Sequence, residues 1–393
     1  MTKPVNSRSF LAAVSPVAFA LASCGAAATG DKASASASEE ISFKTEQVAS
    51  FDEPWAMAID KATGAMIVTE KKGTIKLRLA DGTLGAVSGA PKVDYGGQGG
   101  LGDVIFAPDQ KGASLDGRVI YLSWAEAGEG DTRGAAVGRG TLSCPAPATC
   151  SIEGLSVIWR QVPKVTGRGH YSHRLAFSPD GKYLFVSSGE RQKFTPAQDL
   201  GTNLGKIVRL LPDGTPAPGN PWADKPAPTN QIWSYGHRNV LGLAFDDQGR
   251  LWDLEHGPAG GDELNLVKPG QNYGWPLVSD GDHYDGKPIP RHSTRPDLAA
   301  PAISWNPVIA PGDFIFYKGP LFPQWKGQVL ITSFTLPGLV RVSIKGEKAT
   351  EEARYPMENR IREIEQGGDG TIWLLEDGPA GASGHLLKLT PKS

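Results

Sequence analysis

The stretch at residues 174–190 reads RLAFSPDGKYLFVSSGE, and it decides the fold class of this 393-residue chain. Two short apolar segments flank a Ser-Pro-Asp-Gly turn, which is the signal of a β-hairpin. Imperfect copies of this strand–turn–strand unit begin at Trp55, Leu101, Leu241, Gly312 and Ile361. Six copies predict an all-β fold, a six-bladed β-propeller whose blades are arranged radially.

The spacing of the units adds detail to this prediction. The segment ISFKT at residues 41–45 is an extra strand, which we expect to complete the last blade and close the ring. Long loops are expected at residues 126–161, 191–231 and 257–305, and loops on a rigid β scaffold often carry the functional site. A pair of β-sandwiches is the alternative architecture.

Charge and composition exclude one class of function. The chain has 40 Lys and Arg against 42 Asp and Glu, and a formal net charge of −2. A nucleic-acid-binding protein would show a basic patch or stripe, and none is evident. The 49 Gly and 31 Pro suit many short strands and turns better than long helices.

The N-terminus has the pattern of a targeting segment. Lys3 and Arg8 precede a run of about 13 mostly apolar residues, which is too short for a membrane span but typical of a signal peptide. The run ends in LASC at residues 21–24, which resembles the lipobox of bacterial lipoproteins, where the cysteine is lipidated. We therefore expect a lipoprotein signal peptide at residues 1–24 with Cys24 as the lipidated residue; an ordinary signal peptide is the alternative.

The residues after Cys24 complete this domain assignment. Gly25 stands where many proteins retained at the inner membrane have Asp, which favours the outer membrane facing the periplasm. The Ala/Ser-rich residues 25–40 are expected to form a flexible tether, and residues 41–393 the catalytic propeller. An exported protein meets an oxidising space, so Cys144 and Cys150, which flank Pro-Ala-Pro-Ala-Thr, are expected to form a disulfide at a hairpin tip rather than remain free thiols.

Three Gly-rich segments carry polar residues just before the first strand of a unit: GQGG at residues 97–100, GRGH at 167–170 and YGHRN at 235–239. These segments should open on one face near the propeller axis. His170 is a candidate general base there, because an imidazole titrates near neutral pH; an ordinary loop histidine is the alternative. His173 should point elsewhere, because odd spacing in an extended segment reverses the side-chain direction.

Two further patterns indicate ligands. EHGP at residues 255–258, followed by GDE at 261–263, offers carboxylates and exposed carbonyls, the oxygen ligands that Ca²⁺ prefers; an acidic surface turn is the alternative. Arg360 and Arg362 are two apart in a strand-like stretch and should project from one face. Paired guanidiniums suit a ligand with several carboxylates, although a solvated basic strand end explains the two arginines better when they are taken alone.

Taken together, these segments resemble the soluble quinoprotein glucose dehydrogenase and aldose sugar dehydrogenase family, and its aldose branch most. The resemblance runs from about residue 41 to 390 through the motifs GQGGLGDV, GHYSHRLAF, SSGER, QDLGTNLGKIVRL, IWSYGHRN, EHGPAGGDELNL, NYGWP, FPQW and NRIRE. It implies an enzyme that oxidises aldoses to lactones, with pyrroloquinoline quinone (PQQ) and Ca²⁺ as cofactors and an external electron acceptor.

The resemblance also implies roles for single residues. His170 matches the catalytic base, and Gln98 matches a glutamine that contacts the sugar. The residues that match cofactor and metal ligands are Arg238 and Asn239 at the quinone edge, the Gly257 and Pro258 carbonyls on the cofactor-bound Ca²⁺, Glu263 and Tyr273 on a further structural Ca²⁺, and Arg360 and Arg362 on the cofactor carboxylates.

One residue departs from the family pattern. The family commonly has a cofactor-pairing Lys at the end of the fifth unit, where this chain has Thr335. Losing that cation should weaken cofactor binding. Two other functions therefore stay open: a Ca²⁺-dependent lactonase, and an inactive propeller that serves as a binding module. Glu190 has the Gly-Glu-Arg form of the aldose branch, so narrow glucose specificity is not implied.

Overall fold

The structure is a computed structural model that describes residues 43–108, 110–377 and 383–392. Over these residues the chain forms 24 β-strands and four short 3-10 helices, so the all-β prediction is confirmed. The helices are Thr195–Gln198, Thr229–Gln231, His292–Thr294 and Pro323–Trp325. None of the helices in the described residues is long and apolar enough to cross a membrane. Cys24, with the predicted signal peptide and tether, lies outside these residues.

The strands follow one another along the chain in groups of four. The first strand of the chain is β1 (Phe43–Asp52). The first two groups are β2 (Pro54–Ile59), β3 (Met66–Glu70), β4 (Thr74–Arg78) and β5 (Leu84–Ser88), then β6 (Leu101–Phe106), β7 (Val119–Ala127), β8 (Arg133–Ala146) and β9 (Thr149–Arg160). The middle groups are β10 (Ser172–Phe177), β11 (Leu184–Ser188), β12 (Lys206–Leu210) and β13 (Ile232–Tyr235), then β14 (Val240–Phe245), β15 (Leu251–Glu255), β16 (Asp262–Val267) and β17 (Ile303–Trp305). The last groups are β18 (Pro311–Phe316), β19 (Val329–Ser333), β20 (Gly338–Lys345) and β21 (Lys348–Pro356), then β22 (Ile361–Gln366), β23 (Ile372–Glu376) and β24 (Ser383–Pro391).

Each group pairs as an antiparallel meander. Three groups form separate four-stranded sheets, while the first two are joined into one eight-stranded sheet by parallel pairing of β5 with β9. The last group has only three strands of its own, and β1 pairs with β24 to complete it. The prediction that the N-terminal strand completes the last unit is thereby confirmed for the described part of that strand.

The first strands of the six groups contact one another in a closed series: β2, β6, β10, β14, β18, β22 and β2 again. Each of them pairs with its second strand through a register irregularity near its start. Such irregularities bend a strand and re-aim a side chain. The residues at these strand starts therefore face a common central region.

The apolar core lies between neighbouring sheets. In one such layer Trp252 and Leu254 of β15 pack with Phe314 of β18 and Ile331 of β19, all of them buried. Apolar side chains facing each other across sheets are removed from water on both sides, which fixes the sheets as a rigid scaffold.

One predicted loop and one predicted cross-link can be compared with the structure. Residues 126–161 are not a loop insertion, because most of them form the long hairpin of β8 and β9. The alternation of small and polar residues in β8 hid its strand character. Cys144 and Cys150 stand at the tip of this hairpin and form a disulfide, which confirms that prediction.

Candidate functional site

A cavity of about 280 Å³ opens where the first strands begin. Its walls come from several sheets, and they include Gln98 before β6, His173 of β10, Asn239 before β14 and Arg362 of β22. Of the three polar segments predicted to converge, those of Gln98 and Asn239 reach this cavity, whereas none of residues 167–170 lines it. We call this space the central cavity.

The two arginines predicted to bind carboxylates stand side by side in the central cavity. Both guanidiniums pair with Asp377, with Arg360 Nη2 at 3.0 Å from Oδ2 and Arg362 Nη2 at 2.6 Å from Oδ1. Both also lie over the ring of Phe334, at 4.5 and 5.1 Å. Asp377 and Phe334 hold the pair on one face, which leaves the remaining N–H groups available to an acidic ligand.

His170 stands in a neighbouring cavity of about 480 Å³. Its Nδ1 lies 2.5 Å from Oε1 of Glu190, and its backbone N–H donates to Oε1 of Gln98 at 2.6 Å. None of the described residues forms a hydrogen bond with its Nε2. The imidazole is thus oriented through Nδ1, while Nε2 has no partner among the described residues, an arrangement that suits a general base.

Glu190 anchors more than the histidine. Its carboxylate also accepts the backbone N–H groups of Gln192, Lys193 and Phe194, at 2.9, 2.6 and 2.6 Å. The neighbouring position 189 accepts only glycine, because a Cβ there would lie 2.0 Å from the carbonyl oxygen of His170. The carboxylate therefore fixes the imidazole and the loop after β11 together.

Several residues of this region have left-handed backbone conformations. The φ angles are 47° at His170, 59° at His173, 59° at Gln192 and 61° at Phe194. Non-glycine residues rarely adopt positive φ, and such strain tends to occur at functional sites where surrounding contacts impose it. The segment around His170 is therefore not extended, and simple side-chain alternation does not apply to it.

Burial and the hydrogen bond between His170 and Glu190 shift the pKa of each residue in opposite directions. Burial lowers the pKa of His170, and the hydrogen bond to Glu190 partly offsets this by raising it. Burial alone would raise the pKa of Glu190, but the hydrogen bond and charge of His170 prevail and lower it. Glu190 is thus a carboxylate at neutral pH, while His170 is available as a neutral base.

His173 has different surroundings. Its Nδ1 lies 2.8 Å from Oγ of Ser123, and its ring stacks on Trp55 with 5.0 Å between the centroids. Burial lowers the pKa of His173 to about 3, so it remains neutral. It lines the central cavity and not the cavity of His170, so the expected divergence of the two side chains is found.

Arg238 lines the cavity of His170 and a small cavity next to it. Its backbone N–H donates to Oε2 of Glu255 at 2.6 Å, and Nη1 donates to the carbonyl of His256 at 3.1 Å. Its Nε is buried, and no described residue accepts from it. A buried guanidinium with an unused donor is suited to stabilise negative charge on a bound group.

The predicted calcium ligands lie beside Arg238. Gly257 and Tyr273 line a small cavity next to Glu255 and Glu263, while Pro258 lines the cavity of His170. Within the described ranges, no donor reaches the carbonyl oxygens of Gly257, Pro258 or Tyr273. Unused carbonyls next to buried carboxylates form a donor set that suits Ca²⁺.

A buried acidic cluster extends from Glu263. Asn265 donates to Asp253, Glu255 and Glu263, at 3.1, 3.2 and 3.3 Å. Burial, and then the charge of Glu255, raise the pKa of Asp253 well above its usual value. His237 Nδ1 and the oxygens of Asp253 and Glu255 lie within 4.8 Å of one another. Glu263 therefore belongs to a larger set of oxygen and nitrogen donors than the sequence indicated.

The structure places Phe334, the residue before Thr335, at the wall of the central cavity. Thr335 itself is not among the lining residues. Glu53, Lys71 and Asp377 line the cavity without having been singled out in the sequence. They come from strand ends that are distant in sequence, so no local motif marks them.

Paired guanidiniums in one cavity and an oriented histidine in the next are the arrangement that suits an acidic organic group and the removal of a proton from a small polar substrate. The family model for glucose/sorbosone dehydrogenases matches residues 51–388. The chain therefore belongs to the glucose/sorbosone dehydrogenase family.

Known relatives agree with this assignment. The chain is 37% identical to aldose sugar dehydrogenase YliI of Escherichia coli (strain K12) over 351 residues, which are 87% of this chain and 91% of that protein. The crystal structure of the soluble aldose sugar dehydrogenase from Escherichia coli in the apo form superposes with a TM-score of 0.80 at 35% identity, covering 89% of this chain and 99% of that one. The PQQ-bound form of aldose sugar dehydrogenase from Streptomyces coelicolor has a TM-score of 0.71 at 28% identity, covering 88% and 98%.

Proposed function

We propose that the protein is a PQQ-dependent aldose dehydrogenase that oxidises the anomeric carbon of a sugar to a lactone. The observation that carries this proposal is His170, oriented by Glu190 through Nδ1 and open to a cavity through Nε2. The two family relatives named as aldose sugar dehydrogenases, one of them PQQ-bound, support the cofactor and the substrate class.

The residues present suit this cofactor. PQQ is a flat quinone with three carboxylates, and Arg360 and Arg362 offer it paired guanidiniums in the central cavity. Asn239 lines the same cavity, and Arg238 has a buried Nε without an acceptor among the described residues. The bound cofactor supplies the hydride acceptor.

His170 carries the proton of the reaction. Removing a hydride from the anomeric carbon leaves a lactone only if the anomeric hydroxyl loses its proton. Nε2 of His170 accepts that proton, and Glu190 stabilises the imidazolium that results. Gln98 accepts the backbone N–H of His170 and lines the central cavity. We propose that it contacts the sugar whose hydroxyl His170 deprotonates.

Calcium completes the proposed site. We propose that the carbonyls of Gly257 and Pro258 bind a cofactor-associated Ca²⁺. The Glu263 carboxylate and the Tyr273 carbonyl would hold a second, structural ion, whose positive charge would offset the buried acidic cluster.

The architecture that we infer for this function is a six-bladed β-propeller. Four-stranded meanders whose first strands contact each other in a closed series support it, as does the pairing of β1 with β24.

A Ca²⁺-dependent lactonase needs free carboxylates that converge on the axis. Here Arg174 of β10 pairs with Glu363 at 2.6 Å and lies 3.5 Å from Asp103, so these groups have a cation already.

The expected location follows from the N-terminal segment. We propose that Cys24 is lipidated and anchors the enzyme in the bacterial envelope. The outer membrane is the favoured location, with the enzyme facing the periplasm. The enzyme would pass its electrons to an external acceptor. Mass spectrometry of the mature protein should find a lipid on an N-terminal Cys24. A free terminus at another residue would contradict this.

Reconstitution tests the activity. Apoprotein is mixed with PQQ and Ca²⁺, and reduction of a dye is followed with several aldoses. Activity that needs both additions supports the proposal, and formation of the lactone identifies the product. Hydrolysis of a lactone without PQQ, or no reaction with any aldose, would contradict it.

A further inference from the structure

Two adjacent lysines follow β3, and their surroundings differ. Lys72 has 42% of its side chain exposed and pairs with Asp52 at 2.8 Å. Lys71 has only 16% of its side chain exposed and lines the central cavity. Among the described residues, the Lys and Arg side chains that line this cavity are Lys71, Arg360 and Arg362. Lys71 therefore belongs to the cavity, whereas Lys72 belongs to the surface.

The backbone of Lys71 is held on both sides. Its N–H donates to the carbonyl of Glu53 at 3.0 Å, and its own carbonyl accepts the N–H of Leu101 at 2.9 Å. Position 100 needs a glycine at this contact, because a Cβ on Gly100 would lie 2.2 Å from the carbonyl oxygen of Lys71. These contacts fix the point at which the side chain of Lys71 enters the central cavity.

The ammonium of Lys71 uses few of its donors within the protein. Its Nζ donates to the carbonyl of Gly97 at 3.3 Å, and this is its only hydrogen bond to a described residue. The nearest carboxylate oxygen, Oε1 of Glu53, lies 3.9 Å from Nζ, which is beyond hydrogen-bond range. Since an ammonium has three N–H donors, two of them have no described acceptor.

The charges around Lys71 favour a bound anion. Burial, and then the charge of Arg362, lower the pKa of Lys71, while the carboxylates of Glu53 and Asp377 act in the opposite direction. Asp377 is already paired with Arg360 and Arg362. The ammonium is thus partly removed from water and repelled by a guanidinium. A carboxylate bound to Nζ would relieve both effects, because an opposite charge favours the charged form.

We propose that Lys71 binds a carboxylate of the acidic cofactor, as a third cation beside Arg360 and Arg362. The inference rests on the proposed function, because its ligand is the cofactor of that function. PQQ has three carboxylates, whereas the two arginines share their carboxylate partner Asp377. A further ammonium with unused donors brings the number of cations in the cavity to that of the cofactor carboxylates.

In this role Lys71 also joins the cofactor to the segment before β6. Its Nζ holds the carbonyl of Gly97, and the next residue, Gln98, accepts the backbone N–H of His170 at 2.6 Å. An ammonium with one donor on this segment and another on the cofactor fixes the two relative to each other. Lys71 is therefore a cofactor-binding residue that also supports the segment in contact with His170.

Binding of PQQ to apoprotein in the presence of Ca²⁺ tests this inference without any turnover. Trp55 lines the same cavity, so bound PQQ should quench tryptophan fluorescence, and the quenching gives Kd. Lys71→Gln removes the charge but keeps an N–H donor. It should raise Kd by about tenfold or more, as expected for a lost charged hydrogen bond. Lys71→Arg keeps the charge and should largely restore Kd. Lys72→Gln, which removes the same charge one residue along the chain, is the matched control and should change Kd less than about twofold.

The salt dependence of Kd separates a contact with the cofactor from support of the fold. Added NaCl screens ion pairs, so Kd of the wild type should rise with salt concentration. In Lys71→Gln this rise should be less steep, because one ion pair with the cofactor is gone. Lys72→Gln should keep the salt dependence of the wild type. Lys71→Met, which keeps the apolar stem, provides both measurements if Lys71→Gln does not fold.

Three results would overturn the role of Lys71. They are equal Kd values for Lys71→Gln and Lys72→Gln, a raised Kd in Lys71→Gln with the salt dependence of the wild type, and a Lys71→Arg variant that binds PQQ no better than Lys71→Gln. A wild type that binds no PQQ would overturn the proposed cofactor as well, so the two failures are distinguishable.

Discussion

His170 and His173 are three residues apart, and they differ in nearly every property that decides what an imidazole can do. His170 has a carboxylate partner in Glu190 and an open nitrogen, whereas His173 has a hydroxyl partner in Ser123 and stacks on Trp55. Burial lowers the pKa of both, but only at His170 does a charge raise it again. The comparison shows that the partner of the imidazole, more than its place in the motif, separates a base from a structural residue.

The largest expected effect is on His170. Replacing it in His170→Ala removes the proton acceptor, so turnover should fall by at least about 100-fold while PQQ and Ca²⁺ still bind. Steady-state kinetics and cofactor titration of the same preparation check both parts. Turnover near that of the wild type on every aldose would show that another group is the base.

Glu190→Gln sharpens the comparison by making the two histidines more alike. Without the carboxylate charge, the pKa of His170 should fall further, because Glu190 now raises it. The neutral base then persists to lower pH, so the acid limb of the kcat/KM profile should move to lower pH. Turnover should also drop by about tenfold or more, because the imidazolium loses its stabilising partner. An acid limb that moves to higher pH or stays in place would contradict the claim that Glu190 raises the pKa of His170.

His173 should affect stability rather than turnover. Its pKa of about 3 in the folded state is below its ordinary value, so the unfolded chain binds more protons between about pH 6.5 and 3. Stability contributed by neutral His173 is therefore present at pH 7 and lost as the pH falls through that window. In His173→Gln the free energy of unfolding should depend less on pH, as measured by urea unfolding at pH 7 and 5. A steeper dependence, or a loss of turnover as large as in His170→Ala, would contradict the assignment.

The smallest effect on catalysis is expected far from both histidines. Removing the hairpin disulfide in Cys144→Ser/Cys150→Ser should lower the free energy of unfolding by about 2 kcal/mol, as expected for a short closed loop. Turnover of the folded enzyme should not change. Thermal unfolding and dye reduction measure the two effects, and a large loss of turnover would mean that this hairpin communicates with the site.

Local patterns in the sequence account for much of this structure. Apolar segments with Asp-Gly turns predicted the strands, and Gly-rich segments before first strands predicted that Gln98 and Asn239 reach one cavity. The divergence of His173 was predicted for the wrong reason. The segment was assumed to be extended, but His170 and His173 both have positive φ.

What the sequence could not reveal depends on long-range contacts. Asp377 and Glu53 bring carboxylates to the central cavity, and Lys71 brings a cation, from three separate turns of the chain. The tip of the β8–β9 hairpin was predicted at Cys144 and Cys150, but its long strands were missed because small and polar residues weaken their pattern. Pairing with β7 and β5 extends these strands into the sheet. Such contacts form only when the sheets have packed into their closed arrangement.

The double attachment of Glu190 has a consequence for how this enzyme can diversify. The same carboxylate orients His170 and caps the loop that carries Phe194. A substitution in that loop that admits a new sugar also disturbs the base, so changes in selectivity carry a cost in rate. Tyr284 on the opposite wall is not bonded to Glu190, but its hydroxyl accepts from Nη2 of Arg238 at 3.3 Å, so variation there affects Arg238 instead of the base.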